Sequence, residues 1–232
     1  GHDRSAKEVV DCAVQEDAHA IAITSYQGGH MEYFTYIREL LDEAGCSHVK
    51  IFGGGGGTIT PPEIRDLEKS GITKIYSPDD GRAMGLMGMI HHLMGLASKV
   101  NLIDEQRLSQ LSGPITTGEM AKVGLLLTLS ESASEDDFKA TLDNVRSNKS
   151  EVPVIGFTGT GGAGKSSLLD ELMLRILRDN PDKKICLLCV DPTRKRTGGA
   201  LLGDRIRMNS LSNNNLFMRS LASRGSGSEI SA

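Results

Sequence analysis

Residues 159–166 read Gly-Thr-Gly-Gly-Ala-Gly-Lys-Ser, and this stretch decides the fold because it fits the phosphate-loop pattern G-x-x-x-x-G-K-S/T. The residues before it, Val152 to Phe157, are mostly apolar and are predicted to form a short buried strand. After it, apolar residues recur at helical spacing and predict a helix over 167–177. A glycine loop between a strand and a helix is the context in which this pattern holds the phosphates of a nucleotide.

Each residue type in this loop has a chemical reason. Glycines let successive backbone N–H groups surround an anion, and the positive end of the following helix dipole adds to the attraction. The ammonium group of Lys165 would neutralise the outer phosphates of a nucleoside triphosphate, and the hydroxyl of Ser166 would bind Mg²⁺. The predicted nucleotide site comprises Gly161, Gly162, Ala163, Gly164, Lys165, Ser166 and Ser167. The alternative is a glycine-rich turn that binds nothing.

The composition is that of a globular protein. The chain has 232 residues, of which 38% are hydrophobic and 24% are charged, enough for one large or two ordinary domains. A net charge of −4 gives no electrostatic argument for binding nucleic acid. No apolar run reaches the roughly 20 residues that cross a bilayer, and the residues from Gly1 do not resemble a signal peptide. With four cysteines, which fit a reducing compartment, these features predict a cytoplasmic protein that binds neither nucleic acid nor membrane.

Three groups of side chains that could bind a metal are predicted to pack instead. Cys186 and Cys189 lie in a predicted strand at 184–190, where residues three apart point to opposite faces, so a redox or metal pair is not expected. His91 and His92 lie on an apolar helix without a third type of ligand nearby. The methionines predicted to fill the core are Met84, Met87, Met89 and Met94.

Strands alternate with helices in the first hundred residues. The predicted elements are helix 6–15, strand 20–24, a helix from 30 to about 44, strand 49–52, helix 61–70, strand 74–76 and helix 82–96. This alternation predicts a parallel sheet with ligands at the carboxyl ends of its strands. Residues 98–150 are polar, with an ambiguous apolar run at 123–129, and are predicted to form a helical linker. The predicted domains are therefore 1–97, 98–150 and 151–232.

Five consecutive glycines at 53–57 directly follow the predicted strand at 49–52. By itself such a tract is typical of a flexible linker. At the carboxyl end of a strand in a doubly wound sheet, however, it would let a bulky ligand approach the bare backbone. We therefore predict a ligand contact at this tract.

Three loops of the first half carry a more specific signal: Thr24-Ser25-Tyr26-Gln27-Gly28-Gly29-His30, Phe52 to Gly57, and Ile75-Tyr76-Ser77-Pro78. Together they resemble the cobalamin-binding domain of adenosylcobalamin-dependent acyl-CoA mutases, although Thr24 and Tyr26 replace the family's usual serine and leucine. The resemblance implies a flavodoxin-like, Rossmann-type domain that wraps the nucleotide tail of a base-off cobalamin. His30 either contacts that ligand or only caps the following helix. The site residues so implied are Thr24, Ser25, Tyr26, Gly28, Gly29, His30, Gly53, Gly54, Gly55, Tyr76, Ser77 and Pro78.

The second half resembles the G-protein chaperone that accompanies those mutases. The matching segments are the phosphate loop, Val190-Asp191-Pro192, the run from Thr197 to Met208 and the run from Met218 to Arg224. The resemblance implies a P-loop NTPase α/β domain that hydrolyses GTP with Mg²⁺. It assigns Lys165, Asp191 and Asp204 to the hydrolysis site and makes magnesium ligands of Ser166, Asp191 and Asp204.

A cobalamin domain, a helical linker and a G domain in this order resemble part of the fused isobutyryl-CoA mutase type. That resemblance implies an isomerase that rearranges the carbon skeleton of an acyl-CoA, of the isobutyryl-CoA/n-butyryl-CoA or methylmalonyl-CoA type. GTP hydrolysis would gate the loading of adenosylcobalamin. It also implies a downstream barrel domain that binds the acyl-CoA, and a homodimer of the full-length protein.

Both ends of the chain lack an element of this family's pattern. The spacing between His2 and the strand ending at Thr24 does not fit the family's cobalt-ligating histidine, which we expect upstream of residue 1. After the phosphate loop, no D-x-x-G segment that would contact the γ-phosphate and no N-K-x-D segment occurs before Ala232, so the preference for guanine is predicted from the resemblance alone. Two alternatives stay open: a non-catalytic cobalamin sensor or carrier with a nucleotide switch, and an unrelated P-loop kinase or ATPase with a flavodoxin-like first half.

Overall fold

The computed structural model describes residues 3–116, 118–145, 152–191 and 203–222, and these form two compact units. The first unit contains residues up to 115 together with 119–145, and the second contains the described residues from 152 onward. The first unit consists of α1 (Ala6–Gln15), β1 (Ala20–Thr24), α2 (His30–Glu43), β2 (Lys50–Gly54), α3 (Pro61–Lys69), β3 (Lys74–Tyr76), α4 (Pro78–Ala97), α5 (Glu105–Leu108), a 3₁₀ turn (Ser109–Leu111), α6 (Met120–Ser132) and α7 (Glu135–Val145).

The first unit is built on a parallel sheet in the order β1-β2-β3. The predicted strands and helices up to β3 are confirmed to within two residues, because local signals define their ends. Capping boxes start α1 at Ser5 and Glu8 and α3 at Thr60 and Glu63. The sheet packs on a core that includes the fully buried Phe34, Ile37, Leu41, Ile51 and Ile75. The predicted α/β class with parallel strands is thus confirmed for this unit.

The prediction that the methionines of α4 fill the core is wrong. No residue of α4 is buried: Met84, Met87 and Met94 are exposed and Met89 is half-buried. The helix also breaks at Gly85, where φ is +64°. Apolar composition favours burial, but it cannot tell whether another element covers the helix, and among the described residues none covers α4.

The elements described between residues 98 and 145 are all helical, and the ambiguous run at 123–129 lies in α6, while the linker assignment itself stays a prediction. Within the first unit, a buried ion pair joins α5 to the residues between α1 and β1, with Nη2 of Arg107 2.5 Å from Oδ1 of Asp17. Burial raises the pKa of Asp17, but the neighbouring His48 and Arg107 side chains outweigh that effect and hold the pKa below its ordinary value. The carboxylate therefore stays ionised and paired.

We expect Arg107→Met to lower the free energy of unfolding of the first unit by about 3–5 kcal/mol, because it leaves Asp17 buried without its cation. Hydrogen exchange of the β1–β3 amides in increasing urea measures this unit alone. The control is Lys139→Met, which removes an exposed pair with Glu135 on α7 and should change stability much less. The double variant Asp17→Asn, Arg107→Met should recover part of the loss; no recovery would show that the unpaired charge is not the cause.

The second unit contains α8 (Lys165–Asp179), β4 (Ile185–Asp191), α9 (Gly203–Arg207), a 3₁₀ turn (Ser210–Ser212) and β5 (Leu216–Ala222). Strands β4 and β5 are parallel, and α8 packs on them through the buried Met173 and Leu177. The predicted strand at 184–190 is confirmed as β4. Within it Cys189 packs against the core, as predicted, but Cys186 is exposed.

The predicted buried strand at 152–157 is not formed. These residues lie outside any strand, and Val152, Val154 and Ile155 expose 73%, 94% and 74% of their surface. In the described ranges the second sheet contains only β4 and β5. An apolar β-branched run has the propensity for a strand, but a strand also needs a neighbour that supplies hydrogen bonds and a face to pack on.

Candidate functional site

The phosphate loop turns tightly into α8. Gly162 and Gly164 adopt left-handed backbone with φ of +78° and +84°, and the amide of Ala163 donates to the carbonyl of Thr160 at 3.2 Å. Nζ of Lys165 donates to the carbonyls of Gly159 and Thr160 at 2.6 and 3.0 Å. These two hydrogen bonds fix the Lys165 side chain against the loop, so its positive charge lies beside the loop backbone. The structure brings the predicted residues 161–167 together in one turn.

The start of α8 supplies hydrogen-bond donors at this loop. The first helical bond runs from the amide of Leu168 to the carbonyl of Gly164 at 2.9 Å, so the amides of Lys165, Ser166 and Ser167 belong to the turn that has no intrahelical acceptors. No heavy atom lies within 4 Å of a Cβ built on Gly161, Gly162 or Gly164. An open backbone, free amide donors, a helix N-terminus and an ammonium group together favour a polyanion such as a nucleotide phosphate chain.

The other predicted residues of the nucleotide site fall outside what the structure describes. The side chains of Asp191 and Asp204 lie outside the described part, although β4 ends at Asp191 and α9 begins at Gly203. Residues 192–202 and the family segment at Ser223 and Arg224 also lie outside it. Among the described residues, no three His, Cys, Asp or Glu side chains form a group that could hold a metal. The magnesium assignment stays a prediction.

Asp170 is a residue that the sequence analysis missed. It lies on α8 and accepts hydrogen bonds from the amides of Ser210 and Asn209 at 2.8 and 3.0 Å and from Nδ2 of Asn209 at 3.2 Å. Burial raises its pKa, but these bonds outweigh burial and lower it. The carboxylate therefore ties the phosphate-loop helix to the segment that follows α9. Its partners lie about forty residues later in the chain, so no local pattern could have revealed the contact.

In the first unit the three predicted loops meet at one edge of the sheet. Thr24 aligns with Gly54, and Gly54 aligns with Tyr76, at the carboxyl ends of β1, β2 and β3. The amide of Ser25 donates to the carbonyl of Gly54 at 2.9 Å. Ser77, which caps α4, and Pro78 follow directly. The predicted residues are therefore neighbours, as expected for parallel strands.

The glycines of these loops have different surroundings. A Cβ on Gly53 would lie 2.4 Å from Cζ of Phe34, and one on Gly55 would lie 2.1 Å from the carbonyl oxygen of Ser25. No side chain fits at these two positions, so packing inside the protein explains why they are glycines. A Cβ on Gly54 would meet only the carbonyl oxygen of Tyr76, at an ordinary 3.5 Å, and Gly28 and Gly29 have nothing within 4 Å. The open space needed for a ligand lies at these three positions.

Two histidines lie beside this edge. His30 is buried, with Nδ1 3.3 Å from the carbonyl oxygen of Gln27 and Nε2 3.4 Å from a carboxylate oxygen of Glu63, so its ring joins its own loop to the start of α3. Contact of His30 with a ligand stays a prediction. The sequence analysis did not assign His92 to the site, yet its Nδ1 lies 3.0 Å from the hydroxyl of Tyr76 and the two rings meet edge to face at 5.9 Å.

The whole chain is similar in sequence to known proteins. The family of "Methylmalonyl Co-A mutase-associated GTPase MeaB" matches residues 123–232. The chain is 48% identical over 240 residues to "Fused isobutyryl-CoA mutase" of Geobacillus kaustophilus and 47% identical over 232 residues to the protein of that name from Cupriavidus metallidurans, and both matches cover 100% of this chain. Along its full length, the chain is related to the fused isobutyryl-CoA mutases.

This relationship confirms the resemblance found in the sequence. The chain spans about a fifth of the length of these mutases, 22% and 21%. The second half has relatives of its own: "GTPase ArgK" of Escherichia coli is 32% identical over 128 residues, which covers 53% of this chain and 38% of that protein. The part of the chain that carries the phosphate loop is therefore related to mutase-associated GTPases. No helix in the described ranges is long and apolar enough to cross a membrane.

Proposed function

We propose that this chain holds adenosylcobalamin in its first half and GTP with Mg²⁺ in its second half, as part of an adenosylcobalamin-dependent acyl-CoA mutase. The observation that carries this proposal is the relationship to fused isobutyryl-CoA mutases along the full chain. The shapes of both candidate sites support it. In the full-length protein the acyl-CoA would bind a separate barrel domain, and the protein would be a homodimer.

In the nucleotide half, the chain's own residues would bind and orient the triphosphate. The amides of 161–167 would surround the β- and γ-phosphates, and Lys165 would keep its anchoring bonds to Gly159 and Thr160 while its charge faces the phosphates. Mg²⁺ would neutralise charge that develops on the transferred phosphoryl group. Ser166, Asp191 and Asp204 are the proposed residues that hold it.

In the cobalamin half, the open edge of the first sheet fits a bulky ligand. Gly28, Gly29 and Gly54 present backbone with room in front of it, and Ser25 and Tyr76 lie on the same edge. When bound, adenosylcobalamin supplies the radical for the carbon-skeleton rearrangement. Thr24, Tyr26 and the remaining loop residues would orient the nucleotide tail and exclude water from it.

Hydrolysis of GTP would gate the loading or release of the cofactor. In P-loop switches, a segment is ordered by contacts to the γ-phosphate and released on hydrolysis. We assign this role to residues 191–204. The hydrogen bonds from Asn209 and Ser210 to Asp170 would fix the chain shortly after that segment to α8.

Titration with adenosylcobalamin, followed by the corrinoid absorption spectrum, tests the cobalamin half. We expect conversion to a base-off spectrum without a histidine-ligated band, because the expected cobalt ligand lies upstream of residue 1. A histidine-ligated band that disappears in His2→Ala would contradict that placement; His2 lies outside the described residues. Absence of corrinoid binding, combined with Mg²⁺-dependent binding of ATP in preference to GTP, would instead favour an unrelated P-loop ATPase or kinase.

A further inference from the structure

The part of the chain related to the GTPase family begins inside the first unit. The family match starts at residue 123, whereas residues 119–145 are packed into the unit that contains β1, β2 and β3. Most of α6 and all of α7 therefore belong to the GTPase family by sequence and to the N-terminal unit by packing. We call residues 123–145 the coupling hairpin.

The coupling hairpin touches the backbone at the end of α1. A Cβ on Gly124 would lie 2.7 Å from the carbonyl oxygen of Val14, 3.6 Å from that of Gln15 and 3.7 Å from Cβ of Asp17. Glycine is a poor helix former, so its position inside α6 needs a reason, and this close approach supplies one. Only a helix without a side chain at this position can lie so near α1.

Buried polar groups surround this contact. Nε2 of Gln15 donates to the sulfur of Met120 at 3.6 Å, and Asp17 pairs with Arg107 of α5. The side chain of Thr128, one turn after Gly124 on α6, also contributes to lowering the pKa of Asp17. Gln15, Asp17, Arg107 and Thr128 are all buried. These polar groups are paired only in one arrangement of the helices. The network therefore favours a defined position of α6 on α1 over gradual sliding.

The other side of the coupling hairpin is equally well fixed. Leu125 and Leu129 of α6 pack with Leu111 and Val145 in a small core of their own. The carbonyl of Val145, the last residue of α7, accepts a hydrogen bond from the amide of Ile115 at 3.2 Å. The coupling hairpin is therefore held in the first unit up to Val145.

We propose that the coupling hairpin transmits the nucleotide state of the second half to the cobalamin site of the first. It contacts Val14, Gln15 and Asp17, the last of which lies three residues before the start of β1, and β1 ends at Thr24 in the candidate site. A shift of α6 on α1 would thus move a strand that ends in the site. This inference rests on the proposed function, because it requires that both ligands bind.

Thermodynamic linkage in the 232-residue chain tests the proposal. The dissociation constant of adenosylcobalamin is measured with and without a non-hydrolysable GTP analogue and Mg²⁺. We expect the two constants to differ by about 5- to 150-fold, the usual range of coupling between sites. Gly124→Leu should bring the ratio within about twofold while each ligand still binds alone. The control is Ser130→Leu on the exposed side of α6, which should keep the wild-type ratio.

If Gly124→Leu does not fold, hydrogen exchange of the wild-type chain tests the proposal instead. Addition of the GTP analogue should change exchange at residues 14–17 and 123–145 as well as at the phosphate loop. A change confined to 152–222, or an unchanged cobalamin affinity while the nucleotide binds, would overturn the coupling role and leave the proposed function intact. Failure of the nucleotide to bind at all would overturn both.

Discussion

Lys165→Ala should abolish measurable GTP binding, with a loss of affinity of about 100-fold or more. A hydrogen bond to a charged group contributes about 1.5–3 kcal/mol, and loss of the positive charge beside the phosphates adds to this effect. Its ammonium group is already held 2.6 and 3.0 Å from the carbonyls of Gly159 and Thr160. The wild-type side chain therefore loses little conformational entropy when the nucleotide binds. The alanine variant loses both the charge and the two bonds that hold the loop closed.

Isothermal titration calorimetry with GTP and Mg²⁺ measures this effect. Lys183→Ala is the matched control, because it removes an exposed lysine from the same unit and should leave the affinity unchanged. Hydrogen exchange of the β1–β3 amides should be the same in both variants, since Lys165 lies in the other compact unit. An unchanged affinity in Lys165→Ala would refute the assignment of the phosphate loop.

Gly54→Val should block the uptake of adenosylcobalamin while the first unit stays folded. The new Cβ would lie 3.5 Å from the carbonyl oxygen of Tyr76, an ordinary contact, so the added methyl groups extend into the open space at the edge of the sheet. Displacing a ligand from contacts worth about 3 kcal/mol lowers its affinity by about 100-fold. Absorption titration of the corrinoid measures the loss, and circular dichroism checks the fold.

Neighbouring glycines separate a steric block of the ligand from a damaged fold. Gly53→Val would force a Cβ to within 2.4 Å of Phe34 and 2.6 Å of Ile75. Overpacking of a core usually costs about 1–3 kcal/mol, and we expect Gly53→Val to lower the free energy of unfolding by at least that much. Gly55 is unsuitable for a binding test because its Cβ would collide with the backbone of Ser25. Normal uptake by a folded Gly54→Val variant would show that the ligand does not approach this glycine.

Local patterns in the sequence were sufficient for the elements whose signals lie within a few residues. The periodicity of 6–15 with the capping pair Ser5 and Glu8 defines α1, and the sequence pattern predicted the phosphate loop together with its lysine and the start of α8. The three loops of the first unit could be grouped as well, because the carboxyl ends of parallel strands meet at one edge. These inferences need no knowledge of distant partners.

Tertiary structure alone decided the features that depend on residues far apart in the chain. The run at 152–157 and the methionine-rich α4 have the composition of buried elements, yet both are exposed in the structure. Five consecutive glycines look alike in the sequence, but Phe34, Ile75 and the backbone of Ser25 fill the space beside Gly53 and Gly55 and leave it open at Gly54. Composition and periodicity report what a segment prefers, whereas burial, ion pairs such as Asp17 with Arg107, and close approaches such as Gly124 to α1 exist only once distant segments have met.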